Sequence, residues 1–149
     1  MVHVQRTFTV SRPVEVVVDY LKDFSHAESW DPGTQSCTRE ATADDPGDGP
    51  VEVGATWHNV SKVRGRETEL TYRLERLEPQ RLTFVGENKT ATSTDDITFE
   101  AADGGTRISY DSNIVFHGAA KLGDPFMRHE FERLGDETVA KMTKVLNDL

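Results

Sequence analysis

Cysteine is nearly missing from this chain, and so are long apolar runs and any surplus of basic side chains. The single Cys37 leaves no partner for an internal disulfide, which points to a reducing, cytoplasmic setting. No apolar stretch approaches the ~20 residues that a bilayer crossing requires, so no membrane span is expected. Met1 to Phe8 also lacks the uninterrupted apolar block of a secretory signal. Lys and Arg number 17 against 26 Asp and Glu, a net charge of -9. That balance withholds the clustered cations that phosphate backbones attract, so no nucleic-acid partner is expected. An anionic membrane surface is disfavoured for the same reason. The histidines (His3, His26, His58, His117 and His129) show no close metal-ligand spacing, and His129-Glu130 lacks a second His four residues after the first. No glycine-flanked serine elbow or phosphate-cradling loop occurs. Neither a metal nor a cofactor is expected.

What is present is an order of elements. Val2 to Val10 alternates as a strand, with Val4, Phe8 and Val10 on one side. Pro13 then suits a helix start, and Val14, Val17, Val18 and Leu21 fall at i, i+3, i+4 and i+7. Phe24 to Pro32 reads as a second short helix or turn, and Ala43 to Pro50 as a loop joining two strands. From Val51 onward, strands follow at short intervals. Val53, Ala55 and Trp57 are expected on one face, as are Leu70, Tyr72 and Leu74. Leu82 and Phe84, Ile97 and Phe99, and Ile108 to Phe116 come next, separated by turns near Gly65, Pro79, Asn88 and Gly104. These connections are too short for parallel crossovers, so the sheet is expected to be antiparallel. A closing helix carries Met127, Phe131, Leu134, Met142, Val145 and Leu149 on one stripe. The 149 residues fit one domain of the α+β class, a curved sheet gripping its terminal helix.

The stretches Phe8 to Val17, Asp23-Phe24, Trp30-Asp31-Pro32-Gly33, Val53 to Trp57 and Leu77 to Leu82 mark the junctions of this order. With the closing helix, they make the chain resemble the START-like, SRPBCC or Bet v 1-like helix-grip superfamily, in particular its bacterial polyketide cyclase/dehydrase branch. The resemblance spans residues 1–149. It implies a seven-stranded curved antiparallel sheet wrapped around a long C-terminal helix, two short helices after the first strand, and a hydrophobic cavity between sheet and helix. Relatives of this kind bind lipids, sterols, polyketides and plant hormones, and only some are enzymes.

Candidate ligand contacts follow from strand alternation. Trp57, Asn59, Tyr72, Phe84 and Tyr110 are placed on the concave face, a mainly apolar wall with a few polar tips. The aromatics equally suit a filled core. Asn59 is the more diagnostic residue, because a buried amide needs partners. Phe126 and Glu130 flank the helix stripe at the expected mouth. Desolvation would raise the Glu130 carboxyl, whereas pairing with Arg133 would make it a surface residue. The segment 118–125, with Gly118, Gly123 and Asp124-Pro125, is a candidate gate. The leading functional expectation is binding of a small hydrophobic molecule, lipid-like or polyketide-like, by a monomer or homodimer. The alternative is a polyketide cyclase/dehydrase working by acid/base chemistry in the same cavity. A module acting through protein contacts ranks third, since no specific patch supports it.

Overall fold

The structure, a computed structural model, describes residues 1–118 and 124–149, the side chains of 124–126 excepted. Strand β1 (Val2–Val10) is followed by α1 (Val14–Leu21), a 3-10 turn (Phe24–His26) and the one-turn α2 (Ala27–Trp30). Strands β2 (Thr34–Glu40), β3 (Thr56–Val63), β4 (Arg66–Glu78), β5 (Arg81–Glu87), β6 (Ala91–Ala102) and β7 (Gly105–Phe116) come next. The 24-residue α3 (Asp124–Asn147) closes the chain. All strand pairs are antiparallel in the order β1-β7-β6-β5-β4-β3-β2. This is the α+β helix-grip arrangement. No helix among the described residues is long and apolar enough to cross a membrane.

The elements form where local pattern and packing agree. Pro13, with φ -64°, starts α1, and Val17, Val18 and Leu21 bury its apolar face. Around Tyr72 and Leu74 of β4 and along β5 and β6, buried residues alternate with more exposed ones, the mark of a sheet wet on one face. Register shifts at Thr34/Ser36 in β2 and Leu74/Arg76 in β4 act as bulges that bend the sheet. Arg6 of β1 fastens α3 through Glu132 (2.8 Å) and Asp136 (2.9 Å), and Arg12 holds the helix end by donating to the Asn147 carbonyl at 3.0 Å.

Two sequence expectations need correction. Val53 does not share the face of Ala55 and Trp57: it is 57% exposed and precedes β3. The Ala55 amide bonds back to the Glu52 carbonyl, closing a turn in which Gly54 takes φ +99°. Only glycine enters that region without strain, so alternation stops one residue before the strand. At the other end, α3 finishes at Asn147, leaving Leu149 41% exposed, and fully buried Leu146 joins Met142 on the stripe instead.

The core is not uniform. Leu82, Ile97, Phe99 and Ile108 form one solid cluster with α1, Met142 and Leu146. The first turns of α3, carrying Met127, Phe131 and Leu134, instead roof a cavity.

Candidate functional site

The cavity holds about 230 Å³ between the concave face of the sheet and α3. It is too large to be a packing defect, since a water needs only about 10–15 Å³ by the same kind of measure. Val2, Val4, Leu70, Ile114 and Phe116 give it apolar walls. At its inner end Phe24 packs behind the lining residues Tyr72 and Trp30, its ring 4.4 Å from Tyr72, 4.5 Å from Phe84 and 5.8 Å from Trp30.

Polar groups gather at that inner end because of sheet register. One transverse row runs Trp57, Tyr72, Gly86, Ser93, Ile114, Val2 from β3 to β1. A Cβ on Gly86 would stand 2.6 Å from Tyr72 Cζ, so the bare glycine lets the Tyr72 ring lie across β5. The Ser93 hydroxyl on β6 then faces the phenol and favours its ionised form against burial. In the next row Asp95 sits opposite Ser112. Asp95 is only 5% exposed, and the Ser112 and Tyr110 hydroxyls stand near enough to favour its charged form. Burial pushes its carboxyl up to about 7, with the nearby charge of Asp31 adding to the push against those two hydroxyls. Burial and then the charge of Asp95 hold the Tyr72 and Tyr110 phenols well above their ordinary range.

Asp31 caps the end of α2 and also lines the cavity. Its carboxylate accepts from the Gly33 amide (3.1 Å) and the Thr34 hydroxyl (2.8 Å). Burial raises this group too, against those bonds and the more distant Lys141. Trp30 lies beside it, edge-on to Tyr110 at 6.0 Å, and its buried Nε1 finds no hydrogen-bond partner among the described residues.

The sequence-derived candidates divide. Tyr72 and Tyr110 line the cavity. Trp57, Asn59 and Phe84 do not. Trp57 and Phe84 are fully buried against Phe24, and the Trp57 indole donates to Asp23 at 3.2 Å. The buried Asn59 amide donates to Thr34 Oγ1 (3.0 Å) and accepts from Ser61 Oγ (2.6 Å), so neighbouring side chains already serve it. Glu130 also stands outside the lining. It is 7% exposed but bonded to Arg133, with Arg64 3.9 Å away. The Arg133 hydrogen bond holds its carboxyl below the usual range, the pairing that the three-residue spacing offers in place of a desolvated acid. The Phe126 side chain, and the 118–125 gate apart from Gly118 and the opening backbone of α3, lie outside the described residues.

Asp95, Ser93 and Ser112 went unnoticed in the sequence, although Asp95 stands two residues before Ile97 on the same strand face. Trp30-Asp31-Pro32 reads in sequence as a helix-terminating junction, with an indole at the cavity rim as the lesser alternative, and both Trp30 and Asp31 line the wall. Cys37 is buried, and burial pushes its thiol up to about 12, which leaves it inert as a nucleophile. Among the described residues, no three His, Cys, Asp or Glu side chains converge as a metal would require.

Comparison with known proteins agrees with this architecture. A family model described as polyketide cyclase / dehydrase and lipid transport matches residues 1–147. No curated protein sequence matches. Among solved structures, a protein from Thermus thermophilus superposes with a TM-score of 0.73 at 16% identity, covering 98% of this chain and 94% of its own. A START superfamily protein from Mycobacterium smegmatis gives 0.68 at 13% identity, covering 98% and 94%. The Zhui aromatase/cyclase from a Streptomyces species gives 0.71 at 16% identity, covering 98% and 91%. At such identities the likeness concerns the fold.

Proposed function

The chain belongs to the polyketide cyclase/dehydrase and lipid transport family, and from that premise we propose that it binds a small hydrophobic molecule in the cavity under α3. The observation that carries this reading is the void itself. Side chains were available to fill it, yet about 230 Å³ stays open between largely apolar walls that carry a limited set of polar side chains. That is the composition of a small-molecule pocket. Candidate contacts are Tyr72 and Tyr110 from the sheet, Trp30 and Asp31 from the α2 junction, and Leu134 from the helix.

A neutral fluorescent probe such as N-phenyl-1-naphthylamine tests the reading. Saturable enhancement at one probe per chain is expected, weakened at least tenfold by Ala91→Phe, since Ala91 lines the cavity and a phenyl ring there would fill it. Absence of saturable binding, or an unchanged affinity in the variant, would contradict the proposal.

A second reading has its own support. Asp95 exchanges its proton near neutral pH beside the Tyr110 hydroxyl, the poise that acid/base catalysis favours. Two of the structures similar to this chain are di-domain aromatase/cyclases, each matched over about half its length: 48% for BexL and 51% for StfQ. If a poly-β-ketone analogue is cyclised or dehydrated, Asp95→Asn is expected to lower turnover by about 10² or more while leaving probe affinity within a few-fold.

A further inference from the structure

Polar side chains line both ends of the cavity but differ in sign: Arg66, Thr68 and Asn88 border the outer end, whereas the inner end carries carboxylates. Asp31 and Asp95 both line it, and neither forms an ion pair with any described residue. Lys141 influences Asp31 only from beyond ion-pair distance. Arg6, the cation nearest along the inner wall, is spent on Glu132 and Asp136 of α3. Arg66 also borders the cavity, but it lies six residues along β4 from Tyr72, about 20 Å away at ~3.3 Å per residue. Three aromatic side chains share the inner end with the two acids. Trp30 precedes Asp31 in sequence and meets Tyr110 edge-on at 6.0 Å, Tyr110 stands beside Asp95, and Tyr72 occupies the adjoining row.

Aromatic faces and unneutralised carboxylates in a space shielded from water attract one kind of group above others, an organic cation. A carboxylate ligand placed there would meet two like charges, and a neutral hydroxyl would gain hydrogen bonds without the Coulombic attraction. We propose that the inner end of this cavity selects apolar ligands bearing a protonated amine, held by Asp95 and Asp31 within the wall formed by Trp30, Tyr72 and Tyr110. The inference rests on the ligand-binding reading of the same cavity. The chain's net charge of -9 favours approach of the same class.

Three probes with one tail separate the possibilities: octylammonium, 1-octanol and octanoate, titrated calorimetrically at pH 7.5. The expected result is octylammonium binding at least tenfold tighter than octanol, with octanoate weakest. Asp95→Asn should bring octylammonium to within threefold of octanol, and a native-like circular dichroism spectrum with a cooperative melt shows that the variant is folded. Should that variant fail to fold, Asp31→Asn carries the same comparison. Octanol or octanoate matching octylammonium in the native protein would overturn this inference and leave the ligand-binding reading standing. A preference for octylammonium that survives both substitutions would overturn it as well. Failure of all three probes to bind would overturn both.

Discussion

Asp95 is a carboxylic acid taken from water and only partly compensated by two hydroxyls, and its pH response follows from that. Its folded value of about 7 lies above the usual value near 4, so the folded chain holds this proton more tightly than the unfolded chain does. The sign follows: the contribution to stability is complete below about pH 4 and is lost as the pH rises to about 7. Native protein should therefore lose stability relative to Asp95→Asn across that window, by no more than about 4 kcal/mol, as thermal melts at a series of pH values can check. Gly86 makes a second residue-scale prediction. A methyl group there would stand 2.6 Å from Tyr72 Cζ. Gly86→Ala should then cost about 1–3 kcal/mol and move Tyr72 off Ser93, visible as a shift of the Tyr72 ring resonances. Such residues show what alternation can and cannot reveal. The period of two assigned Tyr72, Phe84 and Tyr110 to the concave face, but it carries no information on whether a residue lies over a void or under Phe24. Asp95 escaped notice because the strand face was traced from its apolar members, and a carboxylate two residues before Ile97 carries no such mark.

Among the elements, α3 does two jobs along one length. Its apolar stripe was legible in the spacing of Met127, Phe131, Leu134 and Met142, since one face of a helix must repeat every three or four residues. The division of labour along it was not, because periodicity reports direction and not depth. Met142 and Leu146 are fully buried in the solid cluster, whereas Leu134 roofs the cavity. Denaturant unfolding should separate them: Leu146→Ala is expected to cost about 2–5 kcal/mol, because it opens a new hole in close packing. Leu134→Ala, which only enlarges an existing one, should cost about 1 kcal/mol or less. Equal losses would mean that the helix packs alike along its whole length. The short segment between α1 and β2 is the other decisive element. It supplies Trp30 and Asp31 as part of the cavity wall and Phe24 as the ring packed behind Tyr72. Its sequence displayed the junction but not the tertiary partners that turn a junction into a lining.

For the whole molecule, the order strand, helices, strands, helix was enough to reach the grip of a curved sheet on a terminal helix. That order depends on local signals, which a single sequence carries well. What it hosts depends on contacts between residues as far apart as Trp30 and Tyr110, which local signals do not carry. The chain's two tryptophans allow the central idea to be examined without altering the protein. Trp30 lines the cavity, whereas Trp57 is locked in the solid core with its indole on Asp23. Titration of isotope-labelled protein with neutral 1-octanol, followed by proton–nitrogen correlation spectra, reads both indoles at once. Saturable shifts of the Trp30 indole and of the Ser93, Ser112 and Gly135 amides, with the Trp57 indole unmoved, are predicted. A spectrum that stays unchanged, or that drifts without saturation over the outer face of the sheet, would contradict a ligand-binding cavity.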